Sequence, residues 1–413
     1  QYQNANNSVR VTDEFMEALE KDPNQQWYCA FKGKKYKPRR VLRHANGSVY
    51  GSEEVDITCQ QLFDELVEGG WRNGEPGIAF IDTVNKTNPL PGLGPIASSN
   101  PCGEQFLHAY DNCNLGSINF AAFVGRDGKM KWERLRDVTR SAVRLMDNVI
   151  DCFDFAVPQV TELARKNRRI GLGVMGLADM LFQLKLRYDS QEGIESAEKA
   201  MAFVQKEAHQ MSRELAKEKG VFPNYQKSIY AKKKVKMRNA ALTTVAPTGS
   251  ISMMFDSSSG IEPNFALAFV KQDKDAHQYR YFNKYFGAAL AKLKLSEKER
   301  NEIMEEIFKT GSIQHLSALP RRLRNTFVIS MDIQGEGHIQ MQAAFQRHTD
   351  NSISKTINLP NAAGREEVAR SFIQAWKLGC KSCTVYREGS RIIQILNVGN
   401  GENIVATTEV PGS

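Results

Sequence analysis

The residues best suited to chemistry lie close together. Asn100-Pro101-Cys102-Gly103-Glu104-Gln105 brings an amide, a thiol and a carboxylate into one short segment. Pro101 holds Asn100 in an extended conformation and fixes the approach to the cysteine. Gly103 lets backbone come close to a bound group. On an extended loop alternate residues point the same way, so Asn100, Cys102 and Glu104 are expected on one face. A carboxylate beside a thiol suits proton transfer next to sulfur chemistry. The same residues also suit a loop with a buried thiol and a solvated carboxylate. A second thiol opens Cys113-Asn114-Leu115-Gly116-Ser117-Ile118-Asn119.

Another candidate site follows a strand-like run, Thr243-Thr244-Val245-Ala246. There Pro247-Thr248-Gly249-Ser250-Ile251-Ser252 offers backbone N–H groups and three hydroxyls at an expected helix start. Such an end carries partial positive charge and free donors, which suits a diphosphate. Ordinary helix capping is the alternative. Cys380-Lys381-Ser382-Cys383 reads either as a redox or metal pair or as two core thiols. Extended geometry sends the two cysteines to opposite faces, which favours the core. Neither a second such pair nor clustered histidines support a zinc site. Cys29, Cys59 and Cys152 read as core or surface thiols, and the basic run Lys232 to Arg238 as a solvated loop.

The elements that must position these groups alternate between helices and single short apolar strands. Strands are expected at 8–11, 77–82, 239–246, 353–360 and 380–386. Asp13 is expected to cap a helix over 14–19. Further helices are expected at 56–72, 132–153, 173–186, 194–219, 277–293, 297–308, 338–348 and 365–378. On the 132–153 helix, Leu135, Val138, Ala142, Leu145, Met146 and Ile150 are expected on one buried face. This alternation argues for an α/β protein with a barrel or doubly wound core, built as one large domain.

Composition sets the bounds. The chain has 413 residues, 41% of them hydrophobic and 25% charged. That excludes disorder as the overall state. No run of about 18 uncharged apolar residues exists to span a membrane, and the first residues show no export signal. Seven irregularly spaced cysteines do not make a secreted disulfide scaffold, so a cytoplasmic location is expected. The net charge of +8 is compatible with an anionic ligand but is too dispersed to indicate nucleic-acid binding. Residue 1 is Gln, and fold-like sequence begins almost at once, so a processed, split or excised piece of a longer protein is expected.

The Asn-Pro-Cys-Gly-Glu loop resembles the finger loop of ribonucleotide reductases, in the form typical of the adenosylcobalamin-dependent class. The resemblance runs along nearly the whole chain. It includes Asn4 to Met16, Arg169 to Asp179, Ala246 to Ser252, Ser258-Ser259-Gly260-Ile261-Glu262-Pro263, Ser354 to Pro360 and Thr384 to Arg391. It implies the later strands and helices of a ten-stranded α/β barrel around a central finger loop, incomplete at its N-terminal side. Residues 1–391 would be barrel and 392–413 a C-terminal tail.

The resemblance also implies roles. Cys102 would carry the thiyl radical that takes and returns the 3′ hydrogen of a ribose. Glu104 would be general base on the 3′ hydroxyl, and Asn100 would bond the ribose. Cys113 would supply reducing equivalents together with a cysteine on an early barrel strand that this chain lacks. Pro247, Thr248, Gly249, Ser250 and Ile251 would hold the substrate diphosphate, with Pro101 and Gly103 also lining the site. Thr384-Val385-Tyr386 has one tyrosine where a class I large subunit has an adjacent pair, which favours adenosylcobalamin as the radical source. The implied partners are a ribonucleotide, a complementary N-terminal fragment, a thioredoxin-like reductant and a second copy in a dimer. The competing readings are a class I large-subunit fragment using a partner's radical, and a non-catalytic nucleotide-binding fragment.

Overall fold

The computed structural model describes residues 6–31, 33–272 and 278–390. The expected C-terminal tail, 392–413, lies outside these residues, as do Asn4 and Ala5. The site rests on six strands: β1 (Ser8–Val11), β2 (Gly77–Phe80), β3 (Asn114–Asn119), β4 (Ile170–Met175), β5 (Thr356–Leu359) and β6 (Ser382–Arg387). Eight helices matter to the argument: α1 (Asp13–Lys21), α2 (Cys59–Asn73), α3 (Trp132–Cys152), α4 (Leu177–Leu184), α5 (Gln191–Lys219), α6 (Gly249–Met254), α7 (Gly335–Gln346) and α8 (Arg365–Lys377).

The strands are linked by pairings and isolated bridges into one series. β3 and β4 pair in parallel, Ile170 opposite Asn114 through Met175 opposite Asn119. The extended segment 242–245 joins them by two parallel bridges, Leu172 with Thr243 and Val245 with Ile353. Residue 353 leads into β5, which pairs in parallel with β6. β6 then meets β2 antiparallel, and β2 pairs in parallel with β1. Five parallel segments are thus followed by two running the other way. Among the described residues, β1 and β3 each have no strand on their outer side.

Parallel strands need covering helices. One core packs α3, α4 and α5 against β4 and the 242–245 segment through Leu135, Val143, Met146, Leu172, Val174, Ala208, Leu242 and Val245. A second packs α1, α2, α7 and α8 against β1, β2, β5 and β6 through Phe15, Phe63, Ile78, Phe80, Ile339, Ile357, Phe372 and Val385. On β6, Cys383 and Val385 enter this core while Ser382, Thr384 and Tyr386 are half-buried on the other face.

Several local expectations change. Thr12 caps α1, accepting from the Phe15 N–H at 3.2 Å, while Asp13 accepts from Lys86 and Trp376. Residues 173–175 belong to β4, so the helix there starts at Leu177. The expected helix at 277–293 resolves, among described residues, into a hairpin strand Gln278–Phe282 and a helix Lys284–Leu290. The aromatic residues of Gln278–Phe282 suit a strand better than a helix. The buried stripe of α3 is Leu135, Thr139, Val143, Met146 and Ile150. Val138 and Leu145 are exposed, forming with Val149 a second apolar stripe beside the open edge of β3. Cys380 precedes β6, and both Cys380 and Cys383 lie in the second core as free thiols, so opposite faces do not arise.

Candidate active site

The segment around Cys102 is a tight turn, which replaces the extended loop expected from sequence. The Gly103 N–H donates to the Asn100 carbonyl at 3.1 Å, and Gly103 sits at φ +79°. That conformation favours glycine, and a Cβ there would meet Ser382 Oγ at 3.4 Å. The turn is closed from both ends: Asn100 N–H donates to the Gln105 carbonyl, and Gln105 N–H donates to Asn100 Oδ1, both at 3.0 Å. Asn100, Cys102 and Glu104 therefore do not share one face. Cys102 is exposed, Asn100 half-buried and Glu104 buried.

The turn is fastened from behind. Thr244 Oγ1 donates to the Glu104 carbonyl at 2.7 Å, and Ser352 N–H donates to the same oxygen at 3.1 Å. Asn351 donates from Nδ2 to Gln105 Oε1 at 2.6 Å and accepts from Phe106 N–H at 2.9 Å. Glu104 Oε2 is buried without a hydrogen-bond partner in the described structure, so it remains free to accept a proton or a hydroxyl.

The electrostatics keep both thiols protonated. Burial and then the Glu104 charge push the Cys102 thiol up from its ordinary value. Burial pushes Cys113 up to about 12, with Arg169 opposing and Asp111 adding to it. A nucleophilic cysteine needs the reverse shift. Cys113 fits because residue 171 is glycine: a Cβ there would lie 2.7 Å from Leu115 Cδ2 and Thr244 Cγ2 and 2.8 Å from Cys113 Sγ. Arg169, next to Ile170, is buried and donates to Asp111 Oδ2 at 3.0 Å.

The second candidate site is a helix start. α6 begins at Gly249 after Thr248, which sits in the left-handed region at φ 58°. Thr248 Oγ1 accepts from the Gly260 N–H at 2.7 Å, and Ser252 Oγ shares a 2.7 Å hydrogen bond with Ser259 Oγ. Two of the three hydroxyls therefore brace the turn. Pro247, Gly249, Ser250 and Ile251 are exposed, and a Cβ at Gly249 would meet nothing within 4 Å. The first-turn N–H groups of a helix have no partner within it. Thr244, which grips the finger turn, is three residues before Pro247, so one segment joins the two sites.

Behind α6 lies a cavity of about 510 Å³, walled by Met253, Phe265, Phe269 and Tyr281 and reaching Thr356 and Asn358 of β5. The Ser257 and Ser330 hydroxyls at its lining are buried without partners. Among the described residues no group of three or more His, Cys, Asp or Glu is placed to hold a metal ion, and none of their helices is long and apolar enough to cross a membrane. Sequence reading missed Gln105, Gly171, Thr244, Asn351 and Ser352. Only the two glycines of Ile170-Gly171-Leu172-Gly173 hinted at a close approach.

A turn carrying a cysteine and a buried carboxylate is fastened to the extended segments at 244 and 351–352, and a second thiol stands just before β3. Residues 1–386 match the family described as ribonucleotide reductase, barrel domain, and the chain belongs to that family. It is 38% identical to the vitamin B12-dependent ribonucleoside-diphosphate reductase of Thermoplasma acidophilum, over 97% of this chain and 49% of that protein. It is 38% identical to the protein of that description from Mycobacterium tuberculosis strain H37Rv, over 98% of this chain and 54% of that one. The fold resembles the class Id ribonucleotide reductase alpha subunit of Actinobacillus ureae, with a TM-score of 0.70, 22% identity, and coverage of 92% of this chain and 65% of that one. The chain spans about half the length of the curated relatives it matches.

Proposed function

We propose that this chain is the catalytic later part of a reductase that converts ribonucleoside diphosphates to 2′-deoxyribonucleotides by thiyl-radical chemistry. The observation that carries the reading is the finger turn. It presents a protonated thiol beside a buried carboxylate with one free oxygen, and it is held rigidly from behind.

Cys102 Sγ, as a thiyl radical, takes the 3′ hydrogen. Glu104 Oε2 takes the proton of the 3′ hydroxyl. The 2′ hydroxyl then leaves as water, carrying a proton supplied within the site. Cys113 and a second thiol provide two electrons and close a disulfide, and Cys102 returns the hydrogen to the 3′ carbon. Asn100, Pro101 and Gly103 shape the ribose site. Pro247, Thr248, Gly249, Ser250 and Ile251 receive the diphosphate through exposed backbone donors. A thioredoxin-like protein reduces the disulfide.

The radical source is adenosylcobalamin, whose cobalt–carbon bond supplies a carbon radical by homolysis. The residues present fit its adenosine part. The cavity behind α6 would have the size and aromatic walls for a nucleoside, and the buried, unpartnered hydroxyls of Ser257 and Ser330 belong to residues that line it.

The second thiol and the missing strands come from a complementary N-terminal segment. Two observations support this. The outer edges of β1 and β3 are open. Beside β3, Leu115, Val138, Leu145 and Val149 form an exposed apolar groove. A segment bridging both edges would close the barrel and cover Cys102. The assembly is a cytoplasmic dimer in this reading.

The test is reconstitution with the complementary segment, adenosylcobalamin, a dithiol and a ribonucleoside diphosphate. Deoxynucleotide forms with cobalamin and without any di-metal partner, and Cys102→Ser abolishes it. Turnover that survives Cys102→Ser, or that needs a partner's radical in place of cobalamin, overturns the proposal.

A further inference from the structure

Lys381 is a buried lysine that none of the chemistry above uses. It lies just before β6, only 4% exposed. Its ammonium donates to the Asp350 carbonyl at 2.8 Å and to the Asn351 carbonyl at 2.5 Å. Among the described residues, no carboxylate forms an ion pair with it. Burying such a group against backbone alone is costly, so its placement calls for a physical reason.

The reason lies one residue along each chain segment. Asn351, whose carbonyl Lys381 holds, clamps Gln105 and the Phe106 N–H through its side chain. Ser352 N–H holds the Glu104 carbonyl. On the other side, Ser382 packs beside Gly103, its Oγ 3.4 Å from where a Cβ at residue 103 would sit. The Lys381 carbonyl accepts from Phe80 N–H at 2.9 Å, and the Ser382 carbonyl accepts from Gln342 Nε2 at 2.8 Å, so the lysine's own backbone is anchored on β2 and α7. The ammonium thus fastens the 350–352 turn to β6, and both back the Cys102 turn.

We propose that Lys381, acting through Asn351, is a positioning residue for the Cys102–Glu104 turn. The proposal rests on the reading of that turn as catalytic, but its test reads the turn's geometry directly. Burial pushes the Lys381 ammonium down to about 7, with the Asp350 carboxylate opposing and Arg169 adding to it. His209 also faces this side, pairing with the Asp350 carboxylate at 2.9 Å.

The experiment measures site-resolved alkylation of the 413-residue chain by iodoacetamide across pH, with mass spectrometry reporting each cysteine. Cys102 reacts as a thiol held up by burial and by Glu104. Freeing the turn returns that thiol toward its ordinary value. Lys381→Met and Asn351→Ala therefore each raise the Cys102 rate at neutral pH about threefold to tenfold relative to exposed Cys152, and lower the apparent pKa of its profile. The double variant exceeds neither single by much, because both act on one path. Cys59 and Cys383, which are buried, stay unreactive.

An unchanged Cys102 profile in folded variants overturns the proposal. So does a rise at Cys59 and Cys383 that matches the rise at Cys102, because that marks a general structural role. If Lys381→Met does not fold, Asn351→Ala alone decides by the same criteria. Failure of the reductase reading shows separately, as turnover that survives Cys102→Ser.

Discussion

The finger turn and the phosphate turn are built on opposite plans. The turn at 100–106 is closed by its own backbone and gripped by Thr244, Asn351 and Ser352, with Lys381 behind them. The turn at 247–251 is exposed except at Thr248, and the hydroxyls of Thr248 and Ser252 brace it. In the proposed function the difference follows from what each does: one turn carries a hydrogen donor and the other receives a diphosphate. A hydrogen atom moves only over a short, fixed distance, so its donor must be held before substrate arrives. A diphosphate is caught by backbone donors and a helix end, which act through charge and tolerate small displacements.

Substitutions can break this contrast, and the largest effects belong to the finger turn. In the reconstituted enzyme Cys102→Ser drops deoxynucleotide formation to background, measured by product analysis. Glu104→Gln replaces the buried carboxylate base with a neutral amide and lowers kcat by about 10²–10⁴, in single-turnover kinetics with the diphosphate saturating. The packing that admits Cys113 comes next. Gly171→Ala forces a methyl against Leu115, Thr244 and Cys113, and destabilises the chain by about 1–3 kcal/mol, seen as a lower urea midpoint.

The brace behind the finger turn also has a pH signature. Burial disfavours charge on His209, but the Asp350 carboxylate outweighs it and raises the imidazole above its ordinary value. A raised pKa stabilises the fold below the unfolded value, about 6.5, and the gain is lost as pH rises through the folded value. The stability difference between the native chain and His209→Gln is therefore largest in mild acid and shrinks above neutrality in denaturant titrations. The smallest effect is expected at the phosphate turn. Ser250→Ala leaves kcat unchanged and raises KM by only about twofold to fivefold, because backbone groups do the binding. A collapse of kcat there would erase the contrast between the two turns.

Much of this was legible in the chain itself. The helices at Trp132–Cys152, Gln191–Lys219, Glu297–Thr310 and Arg365–Lys377 follow from their apolar spacing to within a few residues. β4 escaped because all six of its residues are buried, so it shows no alternation and runs straight into α4. The outward stripe of α3 was read as core because spacing cannot say which of two apolar faces has a neighbour. Cys102, Glu104 and Cys113 stood out by residue type, but the grips on them did not. Gln105 and Asn351 are 246 positions apart, and nothing local links them.

By itself, the sequence determined the reactive groups, the stiff loop entry at Pro101, the helix start at Gly249 and the alternating α/β pattern, because each depends on neighbours a few residues away. Only the tertiary structure decided that the Cys102 segment is a turn with Glu104 buried and Cys102 exposed. It alone showed that Gly171 makes room for Cys113 and that a lysine near the end of the fold backs the loop. Those facts arise where strands distant in the chain pack together, and burial, which pushes the Cys102 and Cys113 thiols up, exists only once they do.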